Sequence, residues 1–117
     1  MQFLDDAWFE AASTAIASID TTGTELIIQQ HVTGSRARDY FLHVTGGTVR
    51  LLPGLHPSPS VTFKQAIETA TAVRRGEINV LTAVQQGLID VAGDVQALIS
   101  NRAVLARIDN ALSQLPS

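Results

Sequence analysis

Between Thr24 and Leu52 apolar residues recur with a period of two, and this stretch constrains the fold more than any other. Leu26, Ile28 and Val32 alternate with Ile27, Gln29, His31 and Thr33; Tyr40, Leu42 and Val44 carry a second alternating run, and Thr48 to Leu52 a third. Period two belongs to strands with one face buried, because successive side chains leave a strand on opposite sides. The runs are separated by the polar turn Gly34–Asp39 and by Gly46-Gly47, a pair suited to the positive φ values of a two-residue hairpin. Pro53-Gly54 stops the third run. Short connections of this kind predict an antiparallel meander.

Helical periodicity flanks the meander. Trp8, Ala12, Ala15, Ile16 and Ile19 predict a helix over 5–19, with Asp5 or Asp6 as its cap. After the Pro-stiffened loop Leu55–Pro59, Val61 and Phe63 mark a short fourth strand. Residues 64–75 read as a helix with Ala66, Ile67, Ala70 and Val73 on one face and Gly76 as its C-terminal stop. A short helix over 78–86 closes at Gly87, residues 88–92 form a fifth strand, and Asp94 caps a long final helix over 95–115. Leu98, Leu105 and Leu112 stand seven apart on that helix, a heptad-like stripe interrupted by Asn101 and too short for a sustained coiled coil. Pro116 is expected to end it.

At 117 residues the chain is one domain's worth of core, and we expect a single domain over 1–117, free-standing from its Met1 start. A net charge of −3, with 8 Lys+Arg against 11 Asp+Glu, argues against nucleic acid as a partner. The absence of cysteine removes disulfides, thiolate metal sites and cysteine nucleophiles. Neither a secretory signal nor an apolar run of membrane-spanning length occurs, so a cytoplasmic location is expected.

Catalysis is poorly supported. Pairing Val32 with Leu42 would align the apolar faces of the first hairpin and set His31 opposite His43, close enough for two imidazoles to share a metal. A catalytic zinc needs a third protein ligand, and none stands convincingly on that face, so no metal and no cofactor are expected. No serine sits in a glycine-framed elbow, and Gly46-Gly47 joins two strands rather than opening a phosphate-cradling helix. Arg74-Arg75 ends a helix, where cations complement the dipole.

What remains is apolar surface. One sheet must cover the apolar faces of four helices, and Ala11, Ala12, Ala15, Ala66, Ala70 and Ala72 supply many small side chains. Small residues fit either close helix–sheet packing or room for an apolar guest.

The order of elements, with the residues that punctuate it, resembles the sterol carrier protein 2 family. The clearest stretch is Gly87-Leu88-Ile89-Asp90-Val91-Ala92-Gly93-Asp94, similar to the family's glycine, alternating strand and Gly-Asp before the closing helix. Val61-Thr62-Phe63 with a helix ending at Gly76, Tyr40-Phe41-Leu42-His43-Val44 with Gly46-Gly47-Thr48-Val49, and Trp8 in the first helix extend the resemblance over nearly the whole chain. It implies an α+β fold: a five-stranded, mostly antiparallel mixed sheet with helices on one face, enclosing an apolar tunnel for fatty acyl chains, sterols or similar lipids. Departures are Ser60, where an acidic residue often opens the fourth strand, Leu88 and Ala92 in place of lysines on the fifth, and the acidic balance. Since anionic membranes attract basic patches, membrane contact is expected to be at most transient.

The expected function is noncatalytic binding or carriage of an apolar or amphipathic lipid. Its candidate lining is Val44, Phe63, Ile67, Val80, Val84, Ile89, Leu98 and Leu105. The alternative is an interaction or dimerisation module with a filled core, like the accessory module that the same fold forms in alkyl sulfatases. A homodimer through the Leu98/Leu105/Leu112 stripe belongs to that alternative.

Overall fold

A computed structural model describes residues 2–35 and 38–115. Arg36 and Ala37 of the expected turn, and Pro116, lie outside the described residues. Five strands, β1 (Leu26–Thr33), β2 (Arg38–Thr45), β3 (Thr48–Pro53), β4 (Val61–Ala66) and β5 (Ile89–Gly93), form one sheet in the order β3-β2-β1-β4-β5. The β1–β2, β2–β3 and β4–β5 pairings are antiparallel, and β1–β4 is parallel. This is the α+β mixed sheet expected.

Alternation assigns the faces. Leu26, Ile28, Val32, Tyr40, Leu42, Val44, Val49, Leu51, Val61, Phe63 and Ile89 are buried on the inner face beneath the helices. Arg50, Lys64 and Asp90 project from the outer face into solvent. Gly46 and Gly47 turn the second hairpin at φ 57° and 80°, a conformation that strains residues bearing a Cβ.

Among the described residues there are five helices where the sequence predicts four: α1 (Asp6–Ile16), α2 (Ile67–Arg74), α3 (Val80–Gln85), α4 (Val95–Ser100) and α5 (Arg102–Ser113). Asp5 caps α1 by accepting the Trp8 N–H, and Asp94 caps α4 by accepting that of Ala97. The expected helix over 64–75 begins only at Ile67, because Lys64, Gln65 and Ala66 continue β4 and pair with His31, Val32 and Thr33. The expected single closing helix is broken at Asn101 (φ −111°, ψ 19°). The Asn101 side chain accepts from the Thr24 hydroxyl at 3.1 Å and donates to the Ala97 carbonyl at 2.8 Å, a carbonyl that also accepts the Asn101 backbone N–H at 3.2 Å, so the break is held by side-chain bonds local to it and by a partner distant in the chain.

The two ends of the core differ. Around α1, aromatic side chains close it: Trp8 meets Phe3, Phe9 and Tyr40 edge-on at centroid distances of 4.9, 5.3 and 6.4 Å. Around α3, β5, α4 and α5 closure is incomplete. Val80, Val84, Val91, Leu98, Leu105 and Leu112 are only half-buried, α4 buries no residue fully, and Leu81, Leu88, Val95 and Ile99 are exposed.

Candidate functional site

The hairpin register overturns the expected histidine pair. Ile28, not Val32, faces Leu42, so His31 lies opposite Asp39 and His43 opposite Ile27. The shift is four residues. An even shift preserves which face each side chain takes, so hydropathy alone could not detect it. His31 Nδ1 lies within hydrogen-bond distance of Asp39 Oδ1, at 2.9 Å. The neighbour of His43 is instead His56, whose ring lies 5.4 Å away and packs edge-on to Phe41 at 5.3 Å. Among the described residues no group of three His, Asp or Glu side chains converges as a metal site requires.

On this outer face the buried polar residue is Gln29, only 2% exposed in a central strand. Its amide nitrogen donates to the carbonyls of Tyr40 and Gly54, each at 3.0 Å, and its oxygen accepts the His56 N–H at 2.8 Å. Gln29 thereby ties the loop after β3 down onto the sheet. Nothing in a single polar position of an alternating strand signals that role.

The inner face holds the candidate lining. Val44, Phe63 and Ile89 lie buried on the sheet, and Ile67 is buried at the start of α2. Val80 and Val84 on α3, Leu98 on α4 and Leu105 on α5 pack against the same core while retaining open surface. Val44, 0% exposed, belongs to the closed part; Val80, Val84, Leu98 and Leu105 belong to the open part. Ile67 also borders an open hollow of about 450 Å³ along α2, among Ser35, Glu68, Arg75 and Glu77. That hollow, charged and shallow, is not an apolar site.

Two glutamines interrupt the apolar inner face. Gln30 of β1 lies directly opposite Tyr40 of β2 and beside Phe63 of β4. Gln65 donates to the Gln30 side-chain oxygen at 2.8 Å. Gln65 is 7% exposed, and its own side-chain oxygen is buried with no hydrogen-bond partner. Gln30 remains half-buried although it occupies the middle strand. Burial pushes the Tyr40 phenol well above its ordinary range, and the Asp109 charge adds to this. Asp109, on α5, keeps open surface while the protein crowded around its carboxyl raises it to about 6. Sequence reading passes over Gln30 and Gln65; the available signal is a glutamine on the apolar phase of an alternating strand.

No protein-family model matches the chain, and a comparison with curated proteins likewise finds no match. Solved structures do match. A conserved hypothetical protein of Thermus thermophilus, described as possibly a sterol carrier protein, superposes with a TM-score of 0.77 at 16% identity, over 100% of this chain and 94% of that one. A palmitated sterol carrier protein 2-like protein of Aedes aegypti gives 0.65 at 18% identity, covering 85% and 89%. A stereoselective inverting sec-alkylsulfatase of Pseudomonas gives 0.59 at 18% identity; the likeness covers 95% of this chain but 16% of that enzyme. Described residues include no helix long and apolar enough to cross a membrane. Sheet order, helix placement and these superpositions together identify the fold of this chain as that of sterol carrier protein 2.

Proposed function

We propose that the protein is a noncatalytic carrier of an apolar or amphipathic lipid, received between the inner face of the sheet and helices α3, α4 and α5. The carrying observation is the half-buried state of Val80, Val84, Leu98 and Leu105, apolar side chains turned toward a core that they do not close. A tail that covered them would leave water and gain about 0.8 kcal/mol per methylene. Roughly ten methylenes give about 8 kcal/mol gross, reduced by immobilisation to micromolar-class affinity, as a carrier that must release its cargo requires. The palmitated relative of the same fold supports this reading. The carrier would act in the cytoplasm and touch membranes only in passing.

The test is native mass spectrometry of gently purified protein, repeated after denaturation. A bound mass that disappears on unfolding and is recovered in an organic extract is the expected result. Val84→Trp and Ile67→Trp should reduce lipid loading while the fold persists; full loading in both variants would refute this lining. A second reading, an accessory module that presents alkyl chains to an enzyme, is favoured by the sulfatase likeness. It predicts a bare chain that associates with itself or with a larger protein, and loss of that association in Leu105→Glu.

A further inference from the structure

Apart from Arg38 at the start of β2, the apolar inner face of the sheet is interrupted by the amides of Gln30 and Gln65, where a hydrogen-bonding group lacks a partner. Gln65 spends its amide N–H on the Gln30 oxygen and keeps a buried carbonyl oxygen that accepts nothing. A buried acceptor left unpaired forfeits its hydration without compensation, so a site that retains one has a use for a donor. Two neighbours restrict what that donor can be. The Tyr40 phenol, opposite Gln30, is held neutral by burial, and the Asp109 carboxylate of α5 acts on that phenol. The Trp8 indole, packed edge-on against Tyr40, carries a buried N–H with no acceptor.

We infer that the Gln30–Gln65 amide pair receives the neutral hydroxyl end of an elongated apolar ligand, with the Gln65 side-chain oxygen as acceptor. The inference rests on the carrier reading above and specifies the chemistry of its cargo. A hydroxyl both donates and accepts, so it satisfies the Gln65 oxygen and can still accept from an amide N–H of the pair. A carboxylate only accepts: it would oppose the Gln65 oxygen lone pair to lone pair. The site therefore selects alcohols over fatty acids of the same chain length, and over ethers that cannot donate.

Displacement of the neutral fluorophore N-phenylnaphthylamine from the intact protein tests this with three competitors of one chain length: dodecanol, dodecyl methyl ether and dodecanoate. Dodecanol should compete about five- to tenfold better than the ether, the worth of one hydrogen bond to a buried neutral group, and better still than dodecanoate. Gln65→Leu should bring alcohol and ether within about twofold of each other while the fluorophore still binds. If alcohol and ether compete equally in the unaltered protein, the hydroxyl site is refuted and the carrier reading stands. Equal loss of both competitors in Gln65→Leu, with the alcohol preference intact, also refutes it. If none of the three displaces the fluorophore, both readings fall. The comparison within the unaltered protein decides the matter even where Gln65→Leu does not fold.

Discussion

Gln29 holds His56 across the outer face of the sheet: the glutamine oxygen accepts the His56 backbone N–H at 2.8 Å, while its amide nitrogen bonds the Tyr40 and Gly54 carbonyls. One buried side chain thus fixes the loop that carries Pro57 and Pro59, a loop that forms no strand of its own against the sheet. Replacing Gln29 by Ala strands three backbone groups. We expect a loss of about 3 kcal/mol in urea unfolding, together with faster hydrogen exchange at the His56 amide. A loss below about 1 kcal/mol would show that water replaces the side chain on all three.

Gly93 ends β5 at φ 104°, and a Cβ placed on it would lie 2.5 Å from the Ser60 carbonyl oxygen. That carbonyl also accepts the Asp94 N–H at 2.9 Å, so it is not free to move aside. Gly93→Ala should cost about 3 kcal/mol, combining positive-φ strain with a backbone clash. Gly23, at φ 86° with open space around it, is the control, and Gly23→Ala should cost only about 1 kcal/mol. Equal costs at the two positions would remove the clash from the explanation.

Asp109 titrates near 6 in the folded chain against 3.8 for an ordinary aspartate, through desolvation by the surrounding protein. Between those values the native state holds more protons than the unfolded state, so stability falls as pH rises through the window and levels off above it. Asp109→Asn should flatten this decline and raise the thermal midpoint at neutral pH relative to the unaltered protein. Melting curves compared across that window and up to neutral pH read the effect directly. Identical pH profiles would place the Asp109 carboxyl in bulk water.

The sheet and most of the helices are legible in the amino-acid sequence because local rules govern them. Alternation puts Leu26, Ile28, Leu42 and Val44 on one face, Gly46-Gly47 marks a hairpin, and Asp5 and Asp94 mark helix starts. The same rules stop where the physics becomes nonlocal. A period of two specifies a face but not a register, so it allows His31 to face His43 where the fold pairs it with Asp39. The stripe Leu98, Leu105, Leu112 is continuous in sequence, yet Thr24, distant along the chain, engages Asn101 and α4 parts from α5 there.

Which faces are apolar, and the order in which strands and helices succeed one another, follow from side-chain periodicity and turn chemistry, both of which are local to the sequence. How completely those faces meet is a matter of packing in three dimensions. The closed aromatic end around Trp8, the half-buried end around Val84 and Leu98, and the partnerless oxygen of Gln65 all depend on distances between segments far apart in the chain. Burial and hydrogen-bond satisfaction are properties of the whole packing, and no single stretch of sequence contains them.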